Sequence, residues 1–187
     1  MTHTFGHTTD GANSALIDCH KAGVDTYIRG TYFECPFQCK VISISAYISL
    51  GTFLSSSAMS VRYAIYAYDP LYFCYYKIAH TQTYNIRMSG GYGFNGLITL
   101  AFSTPPYLEP HMNYFLCAWG QASDDWASIS IHYDNILSNS SFYKQQAYTK
   151  AWPITITGET QEVRLYSIYS TITQDTRPGF PYSISTP

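Results

Sequence analysis

Residues 61–80 read VRYAIYAYDPLYFCYYKIAH and hold six tyrosines. Before Asp69-Pro70, Val61, Tyr63, Ile65 and Ala67 alternate with Arg62, Ala64, Tyr66 and Tyr68. That period of two marks a half-buried strand. Asp-Pro marks a turn, and FCYYKIAHTQTY reads as the returning strand. Tyr72, Phe73, Tyr75 and Tyr76 are expected to split over its two faces. Tyrosine favours strands, and cross-strand aromatic pairs stabilise sheets by roughly 0.2–1 kcal/mol each. The rings therefore read mainly as strand building. Tyr63 is expected in the core with its hydroxyl bonded near the seam. The outward row of Arg62, Tyr66 and Tyr68 is expected to be covered by a neighbouring subunit, because a bare aromatic row would be an association site.

The same pattern extends outward along the chain. In CKVISISAYISL, Ile42, Ile44, Ala46 and Ile48 fall on one face, with Val41, Ser43, Ser45 and Tyr47 on the other. TYIRGTYFEC, LITLAFS, NYFLCAWGQ, WASISIHYD and EVRLYSIYSTI read as further strands, and WPITIT as extended chain. SFYKQQAYTK fits a strand or a short helical turn. Short strands separated by turn signals, with no helical period, indicate an all-β single-domain jelly-roll β-sandwich of about eight to ten antiparallel strands. Residues 1–173 form this sandwich, with 1–25 as an N-terminal arm and first strand region. Residues 174–187 carry three prolines and read as a C-terminal arm that packs on its own domain or on a neighbour.

Composition narrows the function classes. Of 187 residues 12% are charged, and the net charge is −2, which argues against a nucleic-acid partner, since phosphate binding needs clustered Lys and Arg. The N-terminal residues have neither a basic n-region nor an apolar h-region, so no signal peptide is expected. No run reaches 18 apolar residues, so no membrane insertion is expected either. The five cysteines, Cys19, Cys35, Cys39, Cys74 and Cys117, are an odd number, so a disulfide framework would leave one over. Cys35 and Cys39 bracket a short turn where a clip would fit. Cys74 and Cys117 read as small core residues.

The candidate chemistry is sparse. Asp124-Asp125 is the adjacent acidic pair, but neighbours in a turn point apart and do not face each other as glycoside hydrolysis requires. His132 and Asp134 share one strand face, as surface pairs do. No G-x-S-x-G or H-E-x-x-H motif is present, and no enzyme is expected. His3, His7, Cys19 and His20 lack metal-ligand spacing for a strand-rich segment. Asp10, Asp18 and Asp25 are too few oxygens for a calcium staple without help from carbonyls, so no cofactor or metal is expected. For sugar binding, the best local constellation is Trp119, Gln121, Asp124, Asp125 and Trp126 around one turn, with Tyr92 and Phe94 joining from the glycine-rich loop. One exposed ring contributes about 1 kcal/mol, so useful affinity needs several rings or many copies.

TFGHTTDGANS, DTYIRGTYFECP, VISISAYISL, VRYAIYAYDP and LITLAFSTPPYLEPHMNYFLCAW follow one another in this order. Together they resemble a group of jelly-roll domains in phage and metagenomic structural proteins, with similar sandwiches in bacterial surface proteins and beside carbohydrate-binding modules. The matching strands are Ser43–Tyr47, Arg62–Tyr66 and Leu108–Ala118, and the likeness extends to about Thr173. The chain departs from the group at His111, Met112 and Asn113, where a glycine is usual, and at Phe115, where a tryptophan is common. The resemblance implies a non-enzymatic structural or adhesive surface module and supplies no catalytic residues. The expectation is a virion component (capsid, decoration or fibre) that forms homo-oligomers or docks on virion neighbours and binds cell-surface glycans. Its location would be the virion or the extracellular surface. The alternative is a carbohydrate-binding module of a secreted glycan-active system. Arg62, Tyr66, Tyr68, Phe180 and Tyr182 are the candidate interface residues.

Overall fold

The computed structural model describes residues 1–19, 26–52, 58–87, 93–122, 127–135, 141–146 and 151–175. Among them are sixteen strands and no helix. The first eight are β1 (Thr2–Gly6), β2 (Asn13–Cys19), β3 (Tyr27–Glu34), β4 (Cys39–Thr52), β5 (Ala58–Asp69), β6 (Cys74–His80), β7 (Tyr84–Arg87) and β8 (Phe94–Ala101). The others are β9 (Tyr107–Leu108), β10 (Asn113–Ala122), β11 (Ala127–Asn135), β12 (Ser141–Gln145), β13 (Thr155–Ile156), β14 (Thr160–Glu162), β15 (Arg164–Tyr166) and β16 (Ile168–Gln174).

Two antiparallel sheets contain all of them. The centre of the first runs β2-β11-β4-β8, and the centre of the second runs β3-β10-β5-β6. The chain visits the sheets as first, second, first, second, second, first, second, first. That order of visits and of neighbours defines a jelly roll of two Greek keys. The other strands extend this frame. β15 and β16 form one track broken at Ser167: it pairs with β11 at Tyr166 and crosses to β4 from Ile168 onward. Ser167 bridges the crossing, its N–H bonding His132 O and its carbonyl accepting Tyr47 N–H. The predicted FCYYKIAHTQTY strand is likewise two, because Thr81 turns its hydroxyl to accept the Tyr63 N–H at 3.0 Å. SFYKQ is strand β12, and residues 147–150 of that ambiguous segment lie outside the described residues.

The alternation in β4 holds with one correction. Val41, not Ile42, lies in the core with Ile44, Ala46 and Ile48. Val41 pairs with Ile172 and Ser43 with Thr171, so Ile42 is an extra residue opposite none. Such a β-bulge shifts the face of every residue before it.

Two cores result, and β10 divides them. Tyr114, Leu116 and Ala118 enter the core between the sheets, beside Val61, Tyr63 and Ile65. The Tyr63 hydroxyl donates to Ile98 O across the seam at 3.1 Å. Phe115, Cys117 and Trp119 point to the opposite face and pack with Ile28, Ala64, Tyr66, Tyr75, Phe142, Trp152 and Ile156. That second core requires a curled sheet. Tyr75 on β6 and Phe142 on β12 are four strand spacings apart, roughly 19 Å in a flat sheet, yet their rings lie 4.9 Å apart. Gly30 permits the close approach beneath them, since a Cβ there would lie 2.0 Å from Leu116 O. Residues 151–162 complete the enclosure. β13 pairs with β6, β14 pairs with β12, and residues 157–159 bridge the two edges.

Candidate functional site

The predicted interface row is the outer face of β5. It is covered, but by the chain's own residues 151–156 and not by a neighbour. Tyr66 donates its hydroxyl to Pro153 O at 2.7 Å, and Lys77 N–H bonds Ile154 O at 2.9 Å. The Arg62 guanidinium is stacked between Trp119 (4.4 Å) and Trp152 (5.2 Å). Burial holds the Tyr66 phenol well above its ordinary pKa. Tyr68 alone of the row stays exposed, against Tyr75. Phe180 and Tyr182 lie outside the described residues.

Of the predicted sugar constellation, Trp119 is 0% exposed and donates its indole N–H to Thr26 Oγ1 at 2.8 Å. A fully enclosed ring offers no face for stacking, so Trp119 is a core residue. Gln121 is exposed on the same strand. Asp124, Asp125, Trp126 and Tyr92 lie outside the described residues.

The hairpin between β5 and β6 holds what the sequence reading missed. Tyr72 and Phe73 do not alternate in a strand; they form the turn with Pro70 and Leu71. Leu71, Tyr72 and Phe73 are 82%, 70% and 77% exposed, three consecutive large apolar side chains at one apex. The apex is braced. Asp69 Oδ1 accepts the Leu71 N–H at 2.8 Å and the Tyr72 N–H at 3.4 Å. Phe73 has φ 49°, a left-handed conformation that costs a bulky side chain on the order of 1 kcal/mol. Nothing in packing requires an aromatic there, because the ring touches water. The Asp-Pro turn signal followed by three apolar residues could have marked it.

The side of the sandwich opens a pocket of about 300 Å³, lined by Tyr84, Ile86, Phe94, Leu97, Ile98 and Thr99. It lies where β7 and β8, outer strands of the two sheets, part. Tyr84, Phe94 and Leu97 are partly exposed at its mouth, and Ile98 forms its floor toward the core. Phe94, expected to join the Trp119 turn from the glycine-rich loop, lies instead on β8 and lines this recess.

The histidines find other partners than expected. His132 does not pair with Asp134 on its own strand; it bonds Asp10 through Nδ1 at 2.5 Å and Ser49 through Nε2. Ser49 also contacts the Asn95 side chain at 3.1 Å. Nδ1–H donates to Asp10, and the single Ser49 hydroxyl hydrogen is within reach of both His132 Nε2 and Asn95 Oδ1. This order resembles a catalytic triad in its orientation. Ser49 is paired with Ser130 on one side and Asn95 on the other, so its main-chain N–H is committed to the sheet and cannot stabilise an oxyanion. A second pair lies beside it: His7 Nε2 to Asp134 Oδ2 at 2.9 Å, with the Ala12 N–H on Asp134 Oδ1 at 3.1 Å. These bonds clasp residues 7–12 to β11.

Cys35 and Cys39 are free thiols with Sγ atoms 3.4 Å apart. Cys74 and Cys117 are buried free thiols in strands. Of the aspartates considered for calcium, Asp18 accepts the Ala122 N–H at 2.5 Å and Asp10 serves His132. Among the described residues, no three His, Cys, Asp or Glu are gathered to hold a metal.

The class that this fold defines is the jelly-roll β-sandwich. No protein-family model and no curated protein sequence matches the chain.

Proposed function

We propose that the protein is a structural or adhesive surface module that works by contact and self-association, on a phage or virus particle as capsid, decoration or fibre component. The hairpin apex is the observation that carries this reading. Three exposed apolar side chains on a braced, strained turn have no role in the chain's own core. Backbone strain of this kind concentrates at sites of function, and contiguous exposed apolar surface is a mark of association. The likeness of the strand motifs to phage jelly rolls supports the particle setting. In a Leu71→Ser, Tyr72→Ser, Phe73→Ser variant, the concentration needed for self-association should rise more than tenfold with the thermal midpoint unchanged. Unchanged association by light scattering would remove the apex from the account.

The pocket favours a second reading, a carbohydrate-binding module. Tyr84 and Phe94 offer two partly exposed rings, and a recess of that size sits at the small end of ligand sites. Saturable glycan binding lost in a Tyr84→Ala or Phe94→Ala variant would support it. A broad glycan array without signal would remove it.

A further inference from the structure

We propose that the apex and the pocket are the two halves of one contact, the apex of one copy seating in the pocket of the next. This rests on the self-association reading above and names the surfaces that perform it. The two features are complementary in chemistry. The apex offers Leu71, Tyr72 and Phe73, while Tyr84, Ile86, Phe94, Leu97, Ile98 and Thr99 line the recess, so no charge loses water when they meet. The carboxylate that adjoins the apex in the chain, Asp69, is turned back to cap its own turn. They also match in size: about 300 Å³ is room for an aromatic side chain with a second at the mouth.

They cannot meet within one molecule. The pocket residues Tyr84 and Ile86 pair with Val61 and Met59, whereas the apex leaves the same strand at Asp69. Eight residues of strand separate the two features by roughly 27 Å. A knob at one end and a recess toward the other make a heterologous, head-to-tail contact, which closes as a ring or continues as a filament. The area sets its strength. Three side chains about three-quarters exposed contribute on the order of 450 Å², and roughly twice that when the recess is counted. That total falls in the weak class, below about 1,200 Å², so the contact works through many copies in an array.

The test is complementation by sedimentation velocity. The apex variant (Leu71→Ser, Tyr72→Ser, Phe73→Ser) keeps an intact recess. A Leu97→Glu variant, with Tyr84→Ser as a second choice if Leu97→Glu melts early, keeps an intact apex. Each alone is expected to stay monomeric where the wild type associates. An equimolar mixture is expected to form a one-to-one dimer and nothing larger, because only one good knob and one good recess remain. A variant that assembles like the wild type, or a mixture that stays monomeric, overturns the knob-in-recess contact while leaving self-association standing. A Leu97→Glu variant that loses glycan binding but still assembles assigns the pocket to the saccharide and overturns it too. A wild type that is monomeric throughout overturns the parent reading instead.

Discussion

Cys35 and Cys39 lie with sulfurs 3.4 Å apart, against about 2.05 Å in a disulfide. A hydrogen bond from Cys39 holds the Cys35 thiol below its ordinary pKa, which raises the thiolate share that attacks a disulfide. Both residues are buried, so an excess of a small diffusible oxidant should join them only as the 35–39 turn opens. Intact mass should fall by two hydrogens and thiol titration should lose two groups, whereas persistence of both thiols would contradict this. Asp134 gives a second residue-scale outcome. The Ala12 N–H and then His7 hold its carboxyl below the usual range. A depressed carboxyl stabilises fully above its unfolded value, near pH 4. That contribution disappears as pH falls through the lower native value. The Ala12 amide should accordingly lose hydrogen-exchange protection on acidification below about pH 4, and not between pH 5 and 8. Neither His7–Asp134 nor Asp10–His132–Ser49 was legible in sequence, since their members lie 127, 122 and 83 positions apart. Only the sheet register brings them together.

The element that most affects the second core is the segment 151–162. Trp152 lies against Tyr66 and Trp119 and covers Arg62. Replacing Trp152 with Ala should cost about 3–5 kcal/mol, as for other large-to-small core changes. Chemical denaturation should show a lower midpoint, and Tyr66 should become accessible to iodination or nitration. A loss under 1 kcal/mol would mean the segment is not a lid on a packed core. Period-two patterning made β4, β5 and β11 legible. NYFLCAWGQ was legible as a strand, but its burial on both faces was not read from the sequence. What covers the outer face was not legible. WPITIT carries no periodic signal beyond extended chain, and its pairing with β6 is fixed by the curl of the sheet. The bulge at Ile42 was hidden for a related reason: Val and Ile are equally apolar, so a one-residue slip leaves the pattern looking intact.

At the scale of the whole molecule, the jelly roll carries an apolar apex at one end and an apolar recess toward the other. Fold class followed from strand spacing and the absence of any helical period. The apex did not, because its three residues continue the aromatic run of their neighbours and only the position of the turn sets them apart. The proposed consequence of this end-to-end asymmetry is self-association. Sedimentation velocity of the full chain across a wide concentration range tests it most directly. A monomer of 21.1 kDa at low concentration is expected to give way to larger species as concentration rises. A single 21.1 kDa species up to the solubility limit would contradict it.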